Sequence, residues 1–335
     1  MSKASSLRLR FSLFALVAAF ATLAVGSSAS AQITVGQIST DPETLSTCAS
    51  ANGYNEIQGA VVSGASYAAP TAGVLTSWST TGRTPGLLAL AVYRPLAGSV
   101  YKLVTADLPR AITPGSVNTF PIALPVQAGD VIGTVLPSGE NAGCLFRTEL
   151  PGDLILYKEG NAAVGSNLEF PSSEGGYRVN ASATLLPPPT LASLSPAKGS
   201  VKGAKVTITG TNFASVTGVA FGGVPAKSFT VDNEGQITAT APASKKLAKV
   251  PVAVTTVAGT ATSATTYAYE GCKVPNLAGK KLKASKKKAS KADCKIGKVT
   301  KKDGATGKTG KVTKQNPKPG KVLAPGTKIK VTLEP

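Results

Sequence analysis

Between residues 32 and 186 the chain alternates short apolar runs with turn residues. The runs are 73–80 (GVLTSWST), 87–94 (LLALAVYR), 100–106 (VYKLVTA), 117–124 (VNTFPIAL), 131–136 (VIGTVL), 154–158 (LILYK) and 177–185 (YRVNASATL). Their β-branched and aromatic content predicts strands, and Thr113-Pro114-Gly115 and Ala128-Gly129-Asp130 supply turns between them. About seven or eight strands at this spacing make a β-sandwich, jelly-roll-like in arrangement. The lone tryptophan, Trp78, lies inside one run and reads as core, with stacking on carbohydrate a distant second.

Pro187-Pro188-Pro189 forms a stiff linker that continues neither helix nor strand. Beyond it Val206 and Ile208 lead to Phe213 across a turn at Gly210, and Val250, Val252 and Val254 share one face of a later strand. Gly210, Gly222 and Gly223 suit tight turns where a Cβ would clash. The segments LSP (194–196), VTITGTNF (206–213), FGGV (221–224) and ITATAP (237–242) resemble an IPT/TIG domain over residues 189–269. The resemblance implies an immunoglobulin-like sandwich serving as a spacer or interaction module in surface proteins. Some relatives sit in DNA-binding regulators.

The stretch 280–291 reads KKLKASKKKASK, seven lysines in twelve positions. Advancing about 100° per residue from Lys280, the lysines span roughly 220°, and Leu282, Ser285, Ala289 and Ala292 fill roughly 80° of the remainder. That segregation predicts a short helix packed through a narrow face of small residues and exposing a cationic one. Further on, Lys328 and Lys330 alternate with Ile329 and Val331, which is strand periodicity. The order VPNL (274–277), lysine-rich helix, CKIGKV (294–299), QNPKPGKV (315–322) and GTKIKVTL (326–333) resembles a PASTA domain over 272–335. Two departures are the Gly- and Lys-rich connection 301–311 and the pair Cys272 and Cys294, which replaces apolar positions of the family pattern. The resemblance implies a small α+β fold and an association with cell-wall peptidoglycan. The candidate ligand-binding residues are Lys280, Lys283, Lys287 and Lys291 on the helix and Lys328 and Lys330 on the strand.

Composition supports a mainly β protein, because 35 Gly and 23 Pro beside a single Met suit short strands joined by turns. The expected division is 32–186, 187–270 and 271–335, after a signal peptide at 1–31. That peptide has Lys3, Arg8 and Arg10, an apolar run over 11–26 shorter than the roughly 20 residues that span a bilayer, and Ala29-Ser30-Ala31. Cleavage is expected between Ala31 and Gln32, giving an exported chain without membrane insertion. Four cysteines in an exported chain favour disulfides, and they group as Cys48 with Cys144 and Cys272 with Cys294, each pair within one compositional segment. The net charge of +19 is concentrated in residues 271–335, which hold 19 lysines against three acidic residues. Such a surface attracts polyanions: peptidoglycan or anionic wall polymers, acidic glycans, and extracellular nucleic acid, which the export signal disfavours as the biological partner.

Several chemistries are excluded or reduced to coincidence. With no histidine, Ser-His-Asp and Cys-His catalysis are absent, no zinc site is expected, and no cofactor is implied. Gly307-Lys308-Thr309 lacks the earlier glycine of a phosphate loop, since Lys302 stands there. Ser195 and Lys198 echo an S-x-x-K pair, but Pro196 disfavours the helix that would put them on one face. The carboxylates of 32–186, among them Glu56, Asp107, Asp130 and Asp153, mostly neighbour turn residues and read as solvated. The expected function is a secreted, non-enzymatic, modular cell-envelope protein attached to the wall by its lysine-rich end. The alternative makes the N-terminal sandwich a glycan-binding or glycan-hydrolysing module.

Overall fold

The run GLLALAVYRP, strand Gly86–Pro95, has six consecutive buried residues, because both faces of its sheet are covered. Leu88, Leu90 and Val92 enter the main N-terminal core, while Ala91 and Tyr93 enter a smaller cluster with Ile57, Leu103, Leu168 and Phe170. The computed structural model describes residues 32–335, so the expected signal segment lies outside the described residues. The protein is mainly β, as the sequence predicts.

The N-terminal sandwich sets an eight-stranded antiparallel sheet against two smaller ones. The four-stranded sheet runs Ile33–Gln37, Ala181–Leu186, Gly73–Thr80, Asn118–Val126, and the three-stranded sheet runs Tyr177–Val179, Asn141–Arg147, Leu45–Ala49. Fifteen strands form among the described residues up to Leu186, about twice the number read from apolar runs. Those without an apolar signature, such as Tyr54–Ala60 (YNEIQGA) and Asn141–Arg147 (NAGCLFR), carry Asn, Glu, Gln or Gly. Burial between neighbouring strands overrides their weak β-propensity.

The run 177–185 is two strands, divided at Asn180. Residues before it pair with Asn141–Arg147, and residues after it pair with Ile33–Gln37 and Gly73–Thr80. Buried Asn180 fixes the switch by donating to Thr81 O and Oγ1 at 2.9 and 2.8 Å and accepting from the Ser39 amide at 3.0 Å. Two residues earlier, Arg178 makes a two-pronged ion pair with buried Asp153 at 2.7 and 3.0 Å and reaches Gln37 Oε1 at 2.6 Å. Burial pushes the Asp153 carboxyl up, but Arg178 and the Val62 amide outweigh it and hold the group below its ordinary value.

The carboxylates expected in solvent are thus partly inside. Asp107 accepts the Trp78 indole N–H at 2.9 Å and both prongs of Arg110, and Asp130 takes both prongs of Arg94. Trp78 is fully buried, as expected for a core residue, and offers no face for stacking on a ligand. Turn position alone does not reveal that these acids anchor neighbouring strands.

In the second region, Thr190–Ser195, Lys205–Thr211, Gln236–Thr240 and Ser228–Asn233 form one sheet, and five strands including Val216–Phe221, Lys249–Thr256 and Gly259–Glu270 form the other. Val206, Ile208, Phe213, Val252 and Val254 meet in the core between them. Gly222 and Gly223 have positive φ, as a turn demands, whereas Gly210 lies inside a strand. A Cβ on Gly210 would collide with the Thr190 carbonyl, and the bend falls at Asn212 with φ 58°. Ser195 ends a strand, and Lys198 pairs with Glu270 at 3.2 Å, so no S-x-x-K face forms.

The lysine-rich region folds as one helix, Leu282–Ser290, on a three-stranded sheet. Central strand Thr327–Glu334 runs parallel to Cys294–Lys301 and antiparallel to Lys311–Asn316. Ala289, Val312, Ile329, Val331 and Leu333 form its core with both cysteines, and Ala305 tucks in from the long connection. Disulfides join Cys48 to Cys144 and Cys272 to Cys294, with Cα separations of 5.8 and 4.9 Å.

Beside the first disulfide lies Glu56, 4% exposed and outside every ion pair among the described residues. Its Oε2 accepts from Thr134 Oγ1 at 3.0 Å, and its Oε1 lies 3.2 Å from Cys48 Sγ. A disulfide sulfur carries no proton, so a hydrogen bond there requires the proton on the carboxyl. Burial pushes the carboxyl from 4.5 up to about 7, against a smaller lowering by Thr134. The folded state therefore binds this proton more tightly than the unfolded one, and the resulting stability is complete below pH 4.5 and lost as pH rises through about 7. Glu56→Gln should abolish that slope and stabilise the chain at pH 8 by roughly 3 kcal/mol or less. Denaturant unfolding across a pH range of about 4 to 8 checks this.

Candidate functional site

The helix is held by its surroundings more than by its own sequence. Its N-cap is Lys281, no side chain caps it, and no acidic residue stands in its first turn. Lys283 there opposes the helix dipole, while Lys287 and Lys288 in the last turn suit it. Lys283 and Lys287 also repel at i,i+4, as do Lys287 and Lys291. What fixes the helix is the predicted small-residue face. Ser285 and Ala289 are buried, and Leu282 and Ala292 pack against the same core. The Cys272–Cys294 bridge clamps the chain just past the helix C-terminus.

The six lysines picked from the sequence do not form one site. Lys283 and Lys287 point outward from the helix, and Lys291 is its C-cap. Lys280 lies before the helix and is half-buried, with its carbonyl accepting from the Val312 amide at 3.0 Å. Lys328 and Lys330 are exposed while Ile329 and Val331 point into the core that the helix covers, so these two lysines occupy the opposite face of the sheet. The module therefore carries a cationic helix ridge and a cationic sheet face, back to back.

The sheet face gains residues that the sequence does not single out. Lys295 pairs in register with Lys328, Asn316 with Lys330, and Thr332 lies between Thr300 and Lys314. Lys298, Lys314 and Lys330 line a concavity of about 450 Å³ with Thr300, Asn316 and Thr332. A second, of about 500 Å³, lies beside the C-terminal end of the helix and is bounded by Lys286, Ser290, Asp293, Lys295 and Pro325. A bulge between Ile296 and Val299 breaks the alternation in Cys294–Lys301, which hides Lys298 from a periodicity reading. Gln315, by contrast, is structural: it accepts from the Leu277 amide at 2.8 Å and donates to Pro275 O at 3.1 Å.

No lysine of 271–335 belongs to an ion pair among the described residues. The charge is thus directed outward, and the chemistry on offer is multidentate contact with anionic oxygens. Among the described residues, Cys48, Glu56 and Cys144 come nearest a metal-ligand set, but both sulfurs are committed to the disulfide and are not thiolate ligands.

The chain contains an IPT/TIG domain at residues 189–269 and a PASTA domain at residues 273–335, each matched by the model of its family. Both are non-catalytic domains, and together they fit a modular cell-envelope protein. No curated protein matches the chain. Among solved structures, a candidate phosphatase from Bacteroides thetaiotaomicron is 25% identical over 28% of this chain and 20% of its own, with a TM-score of 0.22. SGBP-B, from a complex xyloglucan utilization locus in Bacteroides uniformis, is 16% identical over 59% of this chain and 49% of its own, with a TM-score of 0.23. The chain thus spans less than half the length of either, and neither score carries an argument about function. No helix among the described residues is long and apolar enough to cross a membrane.

Lys283→Glu places a carboxylate in the first helical turn and turns the Lys283/Lys287 repulsion into attraction. It should stabilise the module by about 0.5 kcal/mol while weakening binding to polyphosphate. Urea unfolding and a polyphosphate titration on the same variant test both directions.

Proposed function

We propose that this is a secreted, non-catalytic, modular cell-envelope protein that attaches to the wall through its PASTA domain. Residues 32–186 act as the presented or ligand-binding module, 187–270 as a spacer and 271–335 as the attachment. The observation that carries this reading is the set of 19 lysines in 271–335, none of them in an ion pair among the described residues and many of them exposed on two faces of one small domain. Their partners are peptidoglycan or anionic wall polymers, whose carboxylates and phosphates suit ammonium groups on an extended cationic surface. Export through the segment 1–31 brings the chain to where such polymers are found.

Co-sedimentation of the chain from Gln32 with purified wall sacculi tests both the attachment and its electrostatic basis. The intact chain should pellet at low salt and be released near 1 M salt, where the Debye length falls to about 3 Å. A chain lacking 271–335 should remain in the supernatant. Unchanged sedimentation after that truncation would defeat the attachment claim, and retention at about 1 M salt would defeat its electrostatic basis.

A further inference from the structure

Three concavities adjoin on one flank of the N-terminal sandwich. The first, about 450 Å³, lies between Thr40, Leu45, Arg83 and the turn at 114–117. The second, about 560 Å³, is bounded by Ser46, Thr47, Arg83, Thr84, Glu174 and Tyr177. The third, about 400 Å³, is bounded by Arg147, Glu149, Gly176 and Tyr177. Leu45 and Arg83 border both the first and the second, and Tyr177 borders both the second and the third. They form one groove crossing all three strands of the small sheet, through Leu45, Leu145 and Tyr177.

Arg83 sits at the joint and differs from every other arginine of 32–186. Arg94, Arg110, Arg147 and Arg178 pair with Asp130, Asp107, Glu149 and Asp153, whereas Arg83 belongs to no ion pair among the described residues. Glu174, which borders the same concavity, has no cationic partner among them either. The backbone leading into Arg83 is pinned at two successive residues. Thr81 donates to Ser39 O and accepts from Asn180, and Gly82 O accepts from the Gly115 amide at 3.0 Å, tying together two walls of the groove. A Cβ on Gly143 would collide with Gly82, so the loop lies close on the sheet. Tyr177 is half-buried, with its ring packed on the core while it borders two concavities.

We propose that this groove binds a linear oligosaccharide bearing carboxylate groups. Arg83 presents a planar two-pronged fork to a carboxylate, Tyr177 an apolar surface to a sugar ring, and Glu174 with the Ser46, Thr47 and Thr84 hydroxyls takes the sugar hydroxyls. A groove of linked concavities of this size suits several sugar units. An extended peptide would instead run along the free edge of Leu45–Ala49, which is paired on one side only, and this groove runs across the strands. The proposal is independent of wall attachment by the lysine-rich domain.

That domain will attract acidic glycans by itself, so the test must resolve residues. The ¹⁵N-labelled chain from Gln32 is titrated with oligogalacturonate and, separately, with neutral cello-oligosaccharide. The acidic glycan should shift the amides of Ser46, Thr47, Arg83 and Thr84, and Arg83→Ala should weaken that response by roughly tenfold. Unchanged fluorescence of buried Trp78 confirms that the variant keeps its fold. Shifts confined to 271–335, or groove shifts indifferent to Arg83→Ala, would overturn the proposal. Equal affinity for the neutral glycan would overturn the carboxylate assignment. An extended peptide that shifts the Leu45–Ala49 amides where the glycan shifts none would assign the flank to peptides.

Discussion

The N-terminal sandwich depends on one buried ion pair. Arg178 and Asp153 are almost without solvent, and their two-pronged contact sits where the 177–186 segment leaves one sheet for another. A strand that changes sheets leaves ladder groups unpaired at the crossing, and side chains must take their place. Asn180, Gln58 and Tyr67 do so, beside the ion pair: Gln58 accepts from the Val179 amide at 2.9 Å and the Tyr67 hydroxyl donates to Val179 O at 2.6 Å. Removing one partner of such a pair costs about 3–5 kcal/mol, because the survivor stays buried and charged. The same crossing positions Tyr177, and Asn180 holds the loop of Arg83. The network that makes the fold possible therefore also shapes the flank where the groove lies.

The PASTA domain resolves a different conflict. Its helix has an uncapped start and a row of like charges, which would leave the isolated peptide mostly unfolded. Stability has to come from elsewhere: a core of Ile329, Val331, Leu333, Val312 and Ala289, and a disulfide closing a short loop, worth roughly 3 kcal/mol on a chain-entropy view. The lysines, none in an ion pair among the described residues, add nothing to that stability, and under the proposed attachment they serve contact with an external anion.

Local periodicities are legible in the sequence, and long-range pairings are hidden. The small-residue face of 282–292 can be read because a helix brings i, i+3 and i+7 together without reference to the rest of the chain. The strands at Gly73–Thr80, Val100–Ala106 and Val131–Leu136 are equally plain. Tyr54–Ala60 and Asn141–Arg147 are not, since their polar residues become tolerable only beside particular partners such as Thr134 or the disulfide. The buried carboxylates escape for the same reason: Asp130 meets Arg94, Asp153 meets Arg178 and Asp107 meets Trp78, each on another strand. Sheet order, rather than distance along the chain, sets which partners meet. In the groove, Arg83 and Tyr177 lie far apart in sequence and carry no shared motif, so the flank emerges only once the small sheet is assembled.

The two cationic faces of the PASTA domain govern how it responds to its medium. They are separated by at least the thickness of a helix, about 10 Å. At physiological ionic strength the screening length is about 8 Å, so each face is electrostatically almost blind to the other. In dilute salt that length grows to about 30 Å and the faces merge into a single field. Ionic strength therefore decides whether the domain behaves as one highly charged body or as two separate surfaces of moderate charge.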